Sequence, residues 1–184
     1  IKIARWHAAS QRELESSGVA WTHLQPVFNM QNFLRFASSI QSHGTFFAPM
    51  HDGAISMVDA RDVASVAVEA LTAAGREEQT YLVTGPEPLT FADAAQQLSN
   101  VLGRPIRYVD VSPEQARTGM LAAGMPEWYV QDMLGFYAFY ATGAGAYVSD
   151  VVPRIVGQPA RSFRSFIEDH RAAFDVSASL VRQS

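Results

Sequence analysis

No cysteine occurs in this 184-residue chain, which excludes a disulfide framework, a thiolate zinc centre and a cysteine nucleophile. Lysine is nearly absent too: Lys2 stands alone, the remaining basic residues are scattered arginines, and the net charge is −4. Nucleic acid is not an expected partner, because phosphate binding requires clustered basic side chains. No apolar run approaches the roughly 20 residues that span a bilayer. Arg5, His7, Arg12 and Glu13 interrupt any signal-peptide core at the start. A soluble cytoplasmic protein without a membrane partner is therefore expected. His7, His23, His43, His51 and His170 show neither His-x-x-x-His nor His-Glu-x-x-His spacing, so no metal is expected. A Gly-x-Ser-x-Gly elbow is lacking, which removes the usual serine-hydrolase signal. Also missing is a Gly-x-Gly-x-x-Gly turn between strand and helix. Gly143-Ala-Gly145 has no third glycine at the required offset and follows a helical pattern, so it reads as a turn and not as a phosphate cradle.

What is present suits a folded α/β domain. The chain is 48% hydrophobic and 17% charged, enough to bury one core with a subsidiary lobe. Residues 1–184 read as a single domain, with 175–184 as a frayed tail. Ala4 to Ser16 predicts a helix stopped at Ser17-Gly18. Val19 to Gln25 predicts a strand halted by Pro26. From Asn29 to Gln41 the residues Phe33, Leu34, Phe36, Ala37 and Ile40 recur at helical spacing.

Ala54 to Val58 alternates weakly and leads to Asp59, a plausible helix cap. Val63, Val66, Ala67, Ala70 and Leu71 then form one helical face. Tyr81 to Val83 predicts a strand buried on both faces. Thr90 to Asp93 and Ser112 to Gln115 have capping-box spacing, and Ile106 to Val111 between them is another strand. Pro126 to Tyr140 is too densely apolar for a solvent-facing helix. Ser162 caps a last helix over Phe163, Phe166, Ile167 and Phe174. Helices alternating with isolated short strands identify an α/β architecture.

The loop from Pro26 to Asn32 is the leading site candidate, because open α/β sheets bind ligands beyond the carboxyl ends of their strands. There Phe28 can pack on a flat ring, and Asn29 and Asn32 can hydrogen-bond an amide or carbonyl. The structural alternative is a strand that ends at proline, with Asn32 turning the chain and Phe28 filling the core. Asp59 and Asp62 have the spacing of an acid–base pair, yet capping and the helix dipole account for both. His23 reads as a core or helix-covered histidine, with a proton-transfer role as the alternative. Trp128, Tyr129, Phe136, Tyr137, Phe139 and Tyr140 line either a cavity, a core or a subunit contact.

An ordered series of segments carries a family resemblance. Arg5-Trp-His7, Ser17-Gly-Val-Ala-Trp-Thr22, Gln25-Pro-Val-Phe-Asn-Met-Gln-Asn32, Val58-Asp-Ala-Arg-Asp-Val-Ala64, Tyr81-Leu-Val-Thr-Gly-Pro86 and Leu102-Gly-Arg-Pro-Ile-Arg-Tyr108 resemble the NmrA-like family of atypical short-chain dehydrogenase/reductases. The likeness runs from about Ile1 to Phe174 and matches the carboxyl-terminal part of a full member. It implies the distal part of a Rossmann-type parallel sheet plus a small helical and two-stranded lobe on the substrate side. Ile55 to Val58 is then expected to pair with Ile106 to Val109.

The same resemblance implies an NAD(P)H-dependent oxidoreductase acting on a quinone-type acceptor, a small apolar or aromatic molecule. Pro26, Val27 and Phe28 would lie beside the nicotinamide. Asn29, Asn32, Trp128, Phe136, Tyr137 and Tyr140 would face the substrate. Where the family carries Arg-Pro this chain has Gln25-Pro26, so an ionic contact is not expected there. The superfamily's Tyr-x-x-x-Lys dyad is unavailable, since the single lysine is at position 2. A dinucleotide-sensing regulator and an inactive fragment are the alternatives. Without a glycine-rich turn, this chain alone is expected to bind NAD(P)H weakly or not at all. An unpaired edge on the strand from Val19 to Gln25 is expected to promote self-association.

Overall fold

A computed structural model describes residues 1–175. The first half runs α1 (Lys2–Ser16), β1 (Thr22–Pro26), a 3₁₀ helix (Met30–Phe36), α2 (Ala37–His43), β2 (Thr45–Ala48), α3 (Ala60–Thr72) and β3 (Gln79–Val83). The second runs α4 (Phe91–Leu102), β4 (Arg107–Asp110), α5 (Pro113–Ala122), α6 (Glu127–Ala141), α7 (Val151–Val156), α8 (Phe163–Asp169) and α9 (Arg171–Phe174). The tail expected at 175–184 lies, beyond Asp175, outside the described residues.

Local chemistry sets most boundaries where the sequence places them. Thr90 with Asp93, and Ser112 with Gln115, form reciprocal capping boxes at the starts of α4 and α5, each satisfying two N–H groups that the first turn leaves free. Ser162 caps α8 by accepting the Ser165 N–H, but the expected last helix is broken at His170 into α8 and α9. Strand β1 is shorter than its apolar pattern, and Val19 remains 62% exposed outside it. Helix α1 starts two residues before Ala4. The Asp132 carboxylate from α6 accepts its Lys2 and Ile3 N–H groups at 2.8 and 2.5 Å, capping it from across the fold.

Two small parallel sheets organise the chain. In one, β1 pairs with β3, with Pro26 opposite Val83. Helices α3 and α7 pack beside it, closing a small core of Val58, Val66, Tyr81, Val83, Val151, Val152 and Ile155. Strand β3 is not covered on both faces as expected: Tyr81 and Val83 are buried, but Leu82 is 36% exposed. Leu71, expected on the buried face of α3, is 86% exposed. At 3.6 residues per turn it lies about 140° round the helix from buried Val66.

The second sheet corrects the expected pairing. Strand β4 pairs with β2, not with Ile55 to Val58. Gly44, in the left-handed conformation at φ +63°, ends α2, and its carbonyl accepts the Arg107 N–H at 2.8 Å. That bond fixes the register of β2 against β4. Ile55 is occupied elsewhere: it exchanges both backbone hydrogen bonds with Leu89, and the Ser56 N–H bonds Gly145. Gly85 permits this path, because a Cβ there would sit 1.8 Å from the Met57 carbonyl oxygen.

The larger core surrounds Phe33. Its ring centroid lies 4.8 Å from that of Phe163 and 5.2 Å from that of Phe91. Phe46 and Phe166 are fully enclosed with it. Tilted and edge-on ring contacts of this kind add to simple area burial.

Candidate functional site: a cleft beyond the end of β1

Pro26 ends β1 because it has no N–H to continue the ladder. The chain beyond it is nevertheless held tightly. The Val27 N–H bonds the Val83 carbonyl at 3.2 Å, and the Val58 N–H bonds the Phe28 carbonyl at 2.9 Å. Tyr140 from α6 donates its hydroxyl to the Val27 carbonyl. The Phe28 ring meets Tyr140 and Phe91 edge-on, at 6.0 and 6.4 Å between centroids. With so many contacts fixed, Pro26, Val27, Phe28 and Asn29 form a rigid edge along a cleft of about 1150 Å³. The buried Asn29 Oδ1 has no hydrogen-bond partner among the described residues, although buried polar atoms are nearly always satisfied.

The segment after Asn29 is a 3₁₀ helix where the sequence predicts an α-helix through Gln41. In a 3₁₀ helix side chains three apart lie above one another. Met30 and Phe33 are buried, with Phe36 packed against the same core. Asn29, Asn32 and Arg35, offset by one residue, all line the cleft. Gln31, on the third side, locks the helix to α3: its amide donates to Asp59 Oδ1 and accepts the Ala60 N–H, both at 3.0 Å.

The facing wall is α6. Tyr129, Met133, Phe136, Tyr137 and Tyr140 line the cleft, and their spacing of i, i+4, i+7, i+8 and i+11 defines one helical face. Trp128, expected to face substrate, is not among them. It is 44% exposed and packs against Trp6 of α1, with centroids 5.9 Å apart. Helical rotation carries it away from the cleft and brings Tyr129 in. Tyr129, one of the α6 aromatics read as candidates for a cavity wall, does line the cleft; Arg35 lines it too but was not expected there, and the repeat of three from Asn29 was the signal for it.

Among the described residues no aspartate, glutamate or lysine lines the cleft. Burial pushes the Tyr137 hydroxyl up to about 12, despite a lowering by the Arg35 guanidinium, and burial raises Tyr140 as well. Both phenols are protonated donors near neutral pH. Asp59 and Asp62 lie outside the cleft and are structural. Burial acts to raise the Asp59 carboxyl, but hydrogen bonds from the Arg61 side chain and N–H and from Gln31 bring it down to about 2. Asp62 accepts the Arg161 N–H at 2.8 Å and pairs with its guanidinium. His23 is buried, stacked on Trp21, with Nε2 2.9 Å from Glu15. Among the described residues no group of three metal-ligating side chains occurs, and no helix is long and apolar enough to cross a membrane.

Residues 9–160 match the model of the NmrA-like family. The chain belongs to that family. This NmrA-like chain is 45% identical over 174 residues to an NAD(P)H azoreductase of Xenophilus azovorans, covering 95% of this chain and 61% of that protein. It is 39% identical over 172 residues to a (4-alkanoyl-5-oxo-2,5-dihydrofuran-3-yl)methyl phosphate reductase of Streptomyces griseus, with 94% and 61% covered. It therefore spans about three fifths of the length of these curated relatives. Among solved structures, an NADPH-dependent quinone oxidoreductase of Escherichia coli matches with a TM-score of 0.84 at 21% identity, over 91% of this chain and 61% of that one. The triphenylmethane reductase of Citrobacter sp., complexed with NADP(H), matches at 0.81 and 23% identity, over 92% and 60%. These likenesses establish the α/β fold with its parallel strands.

Proposed function

We propose that this chain supplies the nicotinamide-side loop and the acceptor pocket of an NAD(P)H-dependent oxidoreductase of the quinone reductase type. The observation that carries the reading is the fixed loop at the carboxyl end of β1, with the unpartnered Asn29 Oδ1 beside it. That atom suits a carboxamide donor such as nicotinamide presents, and Pro26, Val27 and Phe28 give the flat apolar backing that a nicotinamide ring requires. The relatives' names, an NAD(P)H azoreductase and a reductase of a phosphorylated furanone, support the same class of chemistry.

When bound, the dinucleotide supplies the hydride, so the protein's work is orientation and exclusion of water. Phe28 and Tyr140 hold the loop. Asn32, Phe136 and Tyr137 bound the space for a planar acceptor, and the protonated Tyr137 hydroxyl can donate to an acceptor oxygen or nitrogen as charge develops there. No side-chain nucleophile or carboxylate base takes part.

Steady-state oxidation of NAD(P)H by the full-length protein, with quinone and azo acceptors, tests the proposal. Turnover that falls at least tenfold in Asn32→Ala is expected. Tight dinucleotide binding without turnover on any planar acceptor would overturn it and leave a dinucleotide-sensing role.

A further inference from the structure

Among the described residues Arg35 is the sole Asp, Glu, Lys or Arg side chain that lines the cleft, in a protein whose net charge is −4. Among the described residues it has no carboxylate partner. Arg61, Arg117, Arg154, Arg161, Arg164 and Arg171 are each paired with one. The Arg35 guanidinium instead lies 5.3 Å from the Tyr129 ring centroid, and its Nη1 donates to the Tyr129 hydroxyl at 2.5 Å. Of the five N–H groups of an arginine, this engages one. The planar fork is thus oriented by an aromatic face while its other donors are left for a ligand, a pre-organised arrangement suited to an oxyanion.

Position adds a second constraint. Arg35 stands two 3₁₀ turns beyond Asn29, about 12 Å along the helix axis at a rise of about 2.0 Å per residue. Asn32 lies midway on the same face, and Tyr137 bounds the opposite side. We infer that Arg35 anchors a single anionic substituent, a sulfonate, carboxylate or phosphate, on the far end of a planar aromatic acceptor whose reducible group sits near Asn29. The orientation of that acceptor rests on the function proposed above; the anion preference does not.

Two azo dyes identical except for one aryl sulfonate test the inference, by equilibrium dialysis against the full-length protein. The sulfonated dye is expected to bind about tenfold more tightly, the scale of one charge-assisted hydrogen bond, and the preference is expected to shrink with added salt. Arg35→Gln should abolish the preference while leaving the neutral dye within about twofold, and Arg35→Lys should keep only part of it. An unchanged thermal midpoint controls for folding, since Arg35 is exposed. Equal affinity for the two dyes, no binding of either, or a preference that survives Arg35→Gln would overturn the inference. A preference for sulfonate without NAD(P)H oxidation would instead sustain the anion site and remove the oxidoreductase reading.

Discussion

Around Phe33 the large side chains are shut away from water: Phe33, Phe46, Phe91, Phe163 and Phe166 are all fully enclosed. Around β1 the picture differs. Helix α1 has no buried residue, Trp6 is 54% exposed, and no strand pairs with the second edge of β1 among the described residues. One region of the chain holds itself together through interlocked rings, and the other leaves apolar surface and backbone groups open. The cleft runs where the two meet. One side of it, the 3₁₀ helix, is anchored in the aromatic core through Met30, Phe33 and Phe36, while α1 contributes rim residues such as Ile3 and His7. Stability and site geometry are therefore expected to respond to different substitutions.

Phe33→Ala should have the largest effect. Removing a ring that contacts Phe36, Phe46, Phe91 and Phe163 is expected to cost about 3–5 kcal/mol, read as a lower denaturation midpoint in urea. A loss below about 1 kcal/mol would mean that the aromatic region is no tighter than the other.

Asp59→Asn comes next. The folded carboxyl titrates near 2, below its ordinary value of 3.8, so its contribution is fully present above the unfolded value and is lost as pH falls from about 4 towards 2. About 2 kcal/mol is at stake. The variant should lose that amount at neutral pH and show a flatter decline in stability across the acid window, checked by urea titrations at several pH values.

Tyr140→Phe removes the hydrogen bond to the Val27 carbonyl and should cost about 1 kcal/mol. Because that bond fixes the loop without filling the core, the KM for acceptor should change more than the unfolding midpoint does. Leu71→Ala should shift stability by less than about 0.5 kcal/mol, since an 86% exposed side chain has little burial to lose. A large loss there would show that the open region is covered in solution, as by self-association along β1, which light scattering would detect.

Much of the fold was legible because its determinants are local. The capping boxes at Thr90 and Ser112, the Asp59 cap and the stop at Pro26 each depend on residues within one turn of the chain. Strand β2 was not legible: Thr45-Phe-Phe-Ala is four residues long and is defined by a partner some 60 positions away. The lining of the candidate cleft was half legible. Pro26 to Asn32 follows from where a strand ends, and Phe136, Tyr137 and Tyr140 from their density on α6. Trp128 was misplaced because density alone does not give the rotation of a helix. Arg35 was overlooked because a single arginine on a helix reads as solvated, and only the three-residue repeat reveals that it shares a face with Asn29 and Asn32.

A structure of the full-length protein with an oxidised nicotinamide dinucleotide and a planar acceptor would show whether the cleft between the 3₁₀ helix and α6 holds both. The nicotinamide ring is expected against Pro26 to Phe28, its carboxamide within hydrogen-bonding reach of Asn29, and the acceptor stretched past Asn32 towards Arg35. A nicotinamide seated away from this loop, or an acceptor outside the space between the 3₁₀ helix and α6, would contradict that placement.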